Sequence, residues 1–159
     1  AYEIMPSLVG SEMCIRDSSS LIQGAQSSLD VLVYKFGYYP QYRASPSNAL
    51  VEGILDALRR GVKVRVLMES GERFPDLYEA NRLTATYLAL SGAEVRFDPP
   101  GEALHAKCLV VDGRHLVVSS ANWSYYSLER NVEAGVAVLD APALAARLQQ
   151  FFERLWEQS

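Results

Sequence analysis

The chain has few residues of the kinds that build metal centres or disulfide frameworks. Its 159 residues include two cysteines, Cys14 and Cys108, and two histidines, His105 and His115. Neither pair has the spacing of a zinc site, and two cysteines cannot supply the several bridges of a small disulfide-rich domain. The sequence therefore predicts no bound metal and no other cofactor.

Long apolar runs and an excess of positive charge are also missing. No apolar stretch approaches the roughly 20 residues of a membrane-spanning helix, and no signal peptide is visible. The formal net charge is -4, so bulk charge does not draw the chain to nucleic acid or anionic lipid, although a local basic groove is still allowed. The hydrophobic content of 49% is ordinary and suffices for one domain with a core. These features leave the cellular compartment open.

The first 18 residues are expected to be foreign to the domain. Residues 5–18 read MPSLVGSEMCIRDS, a string that resembles translated sequencing-adapter read-through at the ends of assembled metagenomic proteins. Like a fusion scar, it is set aside from fold reasoning. We expect a non-native segment over 1–18, which replaces the natural start and any targeting segment, and a single domain over 19–159. The alternative is a genuine N-terminal strand and turn.

Strand-like and helix-like segments alternate along the rest of the chain. Clusters of apolar and β-branched residues predict strands at 29–36, 62–68, 93–97 and 133–139. Apolar residues at helical spacing predict helices at 19–28, 46–60, 76–91 and 141–156. This order is typical of an α/β fold. We expect an α/β/α sandwich with a mixed central β-sheet.

The stretch from His105 to Asn122 concentrates the reactive side chains. His105-Ala106-Lys107 precedes an apolar run, Asp112-Gly113 predicts a hairpin turn, and a second apolar run leads to Ser119-Ser120-Ala121-Asn122. On an extended strand, side chains two residues apart share a face, which places His105 and Lys107 roughly 7 Å apart. If the two runs pair, the serines and Asn122 come beside His105. A neutral imidazole beside an ammonium group suits attack on an anionic phosphorus.

This run resembles the signature of the phospholipase D superfamily of phosphodiesterases, which reads His-x-Lys-x4-Asp-x6-Gly/Ser-Ser-x-Asn. Asn131-Val132-Glu133 matches the downstream Asn-x-Glu, and the resemblance covers residues 19–159. It implies the phospholipase D/nuclease fold and metal-independent cleavage of phosphodiesters through a phosphohistidine on His105. Ser119 stands where many members carry glycine, and we interpret it as an accepted variant that tunes the site.

The resemblance also implies roles for the other motif residues. The expected catalytic residues are His105, Lys107, Asn122 and Glu133, with Glu133 orienting the imidazole. The residues expected to bind the substrate phosphate are Lys107, Ser120 and Asn122. Asp112 and Ser119 are expected to complete the motif structurally, because Asp112 sits in the turn, one strand length from His105. His115, beyond the turn, is expected to be a surface residue.

The family's complete site uses two copies of the motif, and this chain has one. The second copy is expected from an identical subunit across a two-fold axis, giving a homodimer with a shared site. Three functions compete: a nuclease, a phospholipid hydrolase active in lipid degradation, and a non-catalytic or half-site fragment of a two-motif, cardiolipin synthase-like enzyme. Hydrolysis and transphosphatidylation are not distinguished.

Two surface features would separate a nucleic acid from a phospholipid substrate. A basic track around Lys35, Arg43, Lys63 and Arg73 would favour nucleic acid, and an exposed apolar rim near Tyr38 and Tyr39 would favour lipid. Aromatic residues are numerous around the expected site, where they could line a groove or pack in the core. They are Tyr34, Tyr38, Tyr39, Tyr42, Trp123, Tyr125 and Tyr126.

Overall fold

The computed structural model of the chain describes residues 3–7, 11–71, 73–99, 101 and 103–159. Strands and helices alternate for most of its length. The strands are β1 (Glu3–Ser7), β2 (Ser28–Val33), β3 (Lys63–Met68), β4 (Glu94–Phe97), β5 (Lys107–Val111), β6 (His115–Ser119) and β7 (Gly135–Leu139). The helices are α1 (Ser11–Gly24), α2 (Pro46–Arg59), α3 (Pro75–Leu90), α4 (Tyr125–Glu129) and α5 (Pro142–Gln158).

The described strands form one mixed sheet in the order β1-β7-β6-β5-β2-β3-β4. β2, β3 and β4 are parallel, whereas β5 runs antiparallel to β2 and starts the antiparallel half of the sheet. Val33, the last residue of β2, pairs with Lys107, the first residue of β5. The carboxyl ends of β2, β3 and β4 and the amino end of β5 therefore lie together, at the same end of the strands of the sheet.

Helices cover both faces of this sheet. On one face, Leu29, Val31 and Val33 of β2 point into the main core cluster, which also contains residues of α2 and α3. On the other face, Leu32 and Leu67 pack against Phe152 and Trp156 of α5. Alternate residues of a strand point to opposite faces, so strands buried on both sides carry the nearly continuous apolar runs seen in the sequence. The expected α/β/α sandwich with a mixed central sheet is confirmed.

The N-terminal segment is where the structure differs most from the predicted elements. The first helix begins at Ser11, not at residue 19, and β1 pairs with β7 at the edge of the sheet. Ile15 packs against the main core, and Ser18 is only 4% exposed. Residues 1, 2 and 8–10 lie outside the described part of the chain. That residues 1–18 are foreign to the domain stays a prediction about their origin.

The strands near the expected site are shorter than predicted, because their pairing partners end. β2 stops at Val33, where β5 begins, and Tyr34 to Phe36 continue as an irregular segment. β7 begins at Gly135, which leaves Glu133 in the preceding loop. Within the described residues, no helix is both long and apolar enough to cross a membrane.

Candidate active site

Three irregular segments meet where β5 begins: residues 34–37 after β2, residues 103–106 before β5, and residues 120–123 after β6. Tyr34 N donates to Ala106 O at 3.1 Å, Trp123 N donates to Lys35 O at 2.9 Å, and Gly37 N donates to Trp123 O at 2.8 Å. Backbone hydrogen bonds therefore hold the three segments side by side, with His105 and Asn122 among them.

The side chains of His105 and Lys107 are in direct contact. Lys107 Nζ lies 3.1 Å from His105 Nδ1 and 3.3 Å from Nε2, and it donates to His105 O at 2.7 Å. The two side chains share a face, as expected, but the lysine folds back onto the ring and closes the roughly 7 Å spacing of an extended strand. An ammonium at this distance donates to a ring nitrogen only when that nitrogen carries no proton.

Tyr34 forms a wall of this pair. Its ring centroid lies 4.7 Å from that of His105, and Lys107 Nζ lies 5.1 Å from the Tyr34 centroid. A cation near an aromatic face is attracted by the ring quadrupole. Tyr34 therefore supports both residues.

Lys107 is buried at the base of the site. Lys107 is 6% exposed. Burial lowers the pKa of its ammonium group, and the nearby Glu133 carboxylate offsets part of this decrease. No ion pair of Lys107 is found among the described residues. A largely desolvated cation with no paired carboxylate is available to an anion that enters the site.

Asn122, Ser120 and Glu133 lie around the ends of β6 and β7. Asn122 Oδ1 is buried without a hydrogen-bond partner, so this part of the Asn122 amide does not hold the fold together. Ser120 Oγ donates to Glu133 Oε2 and accepts from Ala134 N at 3.0 Å. Glu133 Oε1 accepts from Asn131 Nδ2 at 3.0 Å. Within the described residues Glu133 thus bonds Ser120 and Asn131 and makes no hydrogen bond to His105.

Ser119 closes the end of β6. Its hydroxyl accepts from Ala121 N at 3.0 Å, and its backbone pairs with Gly135 of β7. This short turn shapes the backbone that leads to Asn122, so the contacts of Ser119 are with the protein itself.

Asp112 lies at the far end of β5, in the turn to β6. Its φ is 54°, a left-handed conformation that aspartate tolerates better than most residues. Its carboxylate accepts from the backbone N–H groups of Gln26, Ser27 and Ser28 and from the Ser27 hydroxyl. Burial raises the pKa of this carboxyl, but the hydrogen bonds outweigh burial and lower it. His115 is also at this end, where its Nδ1 accepts from Asp140 N at 3.1 Å.

Two buried carboxyl groups beside His105 were missed from the sequence. Glu69 and Asp98 directly follow β3 and β4, and both accept a hydrogen bond from Leu104 N. The available signal was an acid placed immediately after each of two strand-like runs, because the carboxyl ends of parallel strands share one edge of a sheet.

The described residues form a cleft at His105 and another among several tyrosines. One has a volume of about 590 Å³ and is lined by His105, Asp98 and Leu104, together with Phe151 and Leu155 of α5. The other, which we call the tyrosine cleft, has a volume of about 560 Å³. Its lining residues are Tyr39, Tyr42, Arg43, Ala44, Ser45, Tyr125 and Tyr126.

The tyrosine cleft gathers four of the aromatic residues noted in the sequence. Tyr42 and Tyr126 are 66% and 72% exposed. The others pack elsewhere: Tyr38 stacks on Tyr87, and Trp123 packs edge-on against buried Phe36.

The four basic residues of the expected track do not lie together. Arg43 lines the tyrosine cleft, whereas Lys63 starts β3 and pairs with Ser28. Lys63 is therefore at the end of the sheet opposite His105. In the described part of the chain, no three histidine, cysteine, aspartate or glutamate side chains are grouped as metal ligands.

Comparison with known proteins shows which family the chain resembles. The family model described as "Cardiolipin synthase, PLD-like domain" matches residues 19–156. The mitochondrial cardiolipin hydrolase of Xenopus laevis is 33% identical over 135 residues, which are 85% of this chain and 57% of that protein. The virion nicking-joining enzyme of vaccinia virus is 27% identical over 140 residues, which are 86% of this chain and 31% of the relative.

Among solved structures, the phospholipase D family member Nuc from Salmonella typhimurium superposes with a TM-score of 0.82. It is 24% identical, and the match covers 99% of this chain and 96% of that one. This likeness supports the fold. The chain spans 57% of the length of the mitochondrial cardiolipin hydrolase of Xenopus laevis and 59% of that of Xenopus tropicalis, less than two thirds of each. The family model covers nearly all of the α/β/α domain, and the chain belongs to the phospholipase D-like family.

Proposed function

We propose that the chain is a phosphodiester hydrolase that uses His105 as its nucleophile and needs no metal. The observation that carries this proposal is the contact of the buried Lys107 ammonium with the His105 ring at 3.1 Å and 3.3 Å. A phosphodiester is an anion, so attack requires a nearby positive charge to offset the charge of its non-bridging oxygens. Lys107 supplies that charge at the point of attack.

The proposed reaction has two displacements. In the first, a lone pair of a His105 ring nitrogen forms a P–N bond while the P–O bond to the leaving alcohol breaks, and an acid donates a proton to the leaving oxygen. In the second, water loses a proton to the same group and attacks phosphorus, and the P–N bond breaks. Covalent catalysis thus replaces one difficult step with two easier ones.

In this scheme, the group that donates a proton to the leaving oxygen and then takes one from water must be a second imidazole. His115 cannot serve, because it lies beyond the turn that ends β5 and accepts a hydrogen bond from Asp140 N. We propose that His105 of a second copy of the chain fills the role, across a two-fold axis that brings identical residues together. Hydrolysis by a homodimer then needs two intact His105 side chains in one shared pocket.

The remaining motif residues have proposed roles at the phosphate. Asn122 binds the non-bridging oxygens with Lys107 by donating from its amide Nδ2, while its buried Oδ1 has no partner in the fold. Ser120 binds them by turning toward the phosphate the hydroxyl proton that it donates to Glu133 in the free protein. Glu133 is held in its own chain by Ser120 and Asn131. We therefore propose that Glu133 orients the His105 of the second copy.

Two substrate classes are supported by different observations. The tyrosine cleft combines exposed aromatic faces with the Arg43 guanidinium, a combination that stacks and neutralises single-stranded nucleic acid. Trp123 directly follows Asn122, and Tyr125 of this cleft comes two residues later in the chain, so the cleft is close to the proposed phosphate site. A phospholipid substrate is the second candidate, supported by the relative named mitochondrial cardiolipin hydrolase.

The substrate is tested with purified protein in EDTA. Single-stranded oligonucleotide, plasmid and vesicles containing cardiolipin are compared with bis(p-nitrophenyl) phosphate, a small diester that reports only on the reaction centre. We expect hydrolysis of the small diester in EDTA, together with cleavage of the single strand. Cleavage of cardiolipin alone would favour the second candidate, and a strict need for added metal would contradict the proposed mechanism.

The shared site is tested by mixing wild type with His105→Ala subunits in equal amounts. If each pocket needs two histidines, only wild-type pairs are active, and the rate falls to about a quarter of that of the same total amount of wild type. Independent sites would leave about half of the rate. An inactive monomer would instead support the alternative that this chain is half of a two-motif enzyme, because the second imidazole would then be missing.

A further inference from the structure

Two buried acids lie near His105, at the ends of neighbouring strands. Glu69 follows β3 and Asp98 follows β4, and the two residues are 9% and 8% exposed. β3 and β4 are parallel, so both acids lie at the same end of the sheet, next to the segment that precedes β5. Burial of two carboxyl groups is costly unless every oxygen is hydrogen-bonded.

Both carboxyl groups converge on one backbone amide. Leu104 N donates to Glu69 Oε2 at 2.7 Å and to Asp98 Oδ2 at 3.0 Å. The other two oxygens accept from Gly71 N at 3.1 Å and from Ser70 N at 2.6 Å. Every carboxyl oxygen of the pair therefore has a backbone donor, and Leu104 is the residue immediately before His105.

The two carboxyl groups lie close together, because both accept from Leu104 N. Burial raises the pKa of Asp98, and contact with Glu69 raises it further. Within the described residues, neither acid forms a salt bridge. His105 faces Asp98 across the adjacent cleft, and Arg82 of α3 lies over the ring of Phe97, the neighbour of Asp98.

We propose that Glu69 and Asp98 are positioning residues that hold His105 for attack by fixing the Leu104 amide. This inference rests on the proposed role of His105 as nucleophile. His105 precedes β5 and is itself exposed, so its backbone is not held by the strand ladder. Lys107 Nζ binds its carbonyl oxygen, and the two acids bind the amide of the preceding residue. These contacts together fix the direction in which the imidazole points.

The first test separates kcat from KM for bis(p-nitrophenyl) phosphate. Asp98→Ala and Glu69→Ala are expected to lower kcat by about 100-fold, the effect of a displacement of about 1 Å in a reacting group. KM is expected to change less than about threefold, since neither acid binds substrate. Asp98→Asn keeps one acceptor oxygen for Leu104 N but turns its N–H group toward Ser70 N, so it should lower stability while its kcat falls less than that of Asp98→Ala.

A matched control is Asp30→Ala. Asp30 is also a buried carboxylate, 3% exposed, but it binds Arg65 and Gln149 on the α5 side of the sheet. Its loss should lower the melting temperature and leave kcat unchanged at temperatures where the protein is folded. Wild-type kcat in folded Asp98→Ala and Glu69→Ala proteins would overturn the proposal, as would a rise of KM at constant kcat.

The second test does not depend on activity. The Leu104 amide should be protected from hydrogen exchange in the wild type, and the protection factor should fall at least about tenfold in either alanine variant. If the alanine variants do not fold, Asp98→Asn decides the question. Protection in the wild type should fall as the pH rises and Asp98 loses its proton, whereas Asp98→Asn should keep its protection. An identical pH dependence in the two proteins would overturn the proposal, while an inactive wild type would refute only the proposed function.

Discussion

Replacing the Asp112 carboxylate is expected to destabilise the domain without affecting the reaction centre. Asp112→Asn keeps one acceptor oxygen and tolerates the φ of 54°, but it turns an N–H donor toward the amide of Gln26, which lies 3.0 Å from Asp112 Oδ2. Hydrogen bonds to a charged group are worth about 1.5–3 kcal/mol each, and partial exposure favours the lower value. We expect a loss of about 1–2 kcal/mol in the free energy of unfolding for Asp112→Asn.

Asp112→Ala should lower the free energy of unfolding further, because it removes all four hydrogen bonds and places an alanine in the left-handed backbone conformation. We expect about 3–5 kcal/mol, which at about 2–4 °C per kcal/mol is a shift in Tm that calorimetry resolves easily. Asp140 offers a matched control, since its φ is 53° and its exposed carboxylate binds the Arg114 side chain. Asp140→Asn should therefore leave the free energy of unfolding nearly unchanged.

The pH dependence of the Asp112 effect has a defined sign. Hydrogen bonding holds the pKa of Asp112 below its usual range, so the stabilisation is complete above the unfolded-state pKa and is lost as the pH falls through the folded-state value. The difference in free energy of unfolding between wild type and Asp112→Asn, measured by urea unfolding, should be largest at pH 7 and should decrease below about pH 4. Equal stability of the two proteins at pH 7 would refute this reasoning. The kcat of Asp112→Asn should equal that of the wild type.

Three further predictions concern the site and the N-terminus. Because burial lowers the pKa of Lys107, hydrolysis should decline at a lower pH than an ordinary lysine would impose, and Lys107→Met should cost about 100-fold or more in kcat; an unchanged pH–rate profile in Lys107→Arg would argue against this assignment. Asn122→Ala should lower kcat by about 10- to 100-fold and leave urea unfolding unchanged, because its buried Oδ1 has no partner to lose. Deleting residues 1–18 removes Ile15 from the core and should cost about 1–2 kcal/mol, or about 2–8 °C in Tm, with activity retained; an unchanged Tm would support a domain boundary at residue 19.

The motif hairpin could be predicted from the sequence because its information is local. Alternation along a strand places His105 and Lys107 on one face, and the Asp112-Gly113 turn sets the pairing that joins Cys108 to Val118. The direct contact between Lys107 and the imidazole could not be predicted in the same way. It depends on a side-chain conformation imposed by burial against Tyr34, which belongs to the segment after β2.

Features assembled from distant segments were predictable only in part. An acid directly after each of two strand-like runs indicates that Glu69 and Asp98 lie at the same end of a parallel sheet, but the sequence does not reveal that β3 and β4 are neighbours, which brings the two acids together. Lys63 fits a basic track by composition, but the direction of β3 places it at the wrong end of the sheet. The predicted first helix begins too late, because the scar-like string sets residues 1–18 apart, whereas Ser11 to Gly24 form one continuous helix.

Direct detection of the covalent intermediate tests the central claim. Wild-type protein is mixed with excess bis(p-nitrophenyl) phosphate in EDTA, quenched during turnover at alkaline pH, digested, and analysed by mass spectrometry. A phosphohistidine is stable in base and labile in acid, so we predict an added phosphate ester on the peptide containing His105, lost on acidification and absent from His105→Ala. An adduct on a different residue, or full turnover by His105→Ala, would contradict the account.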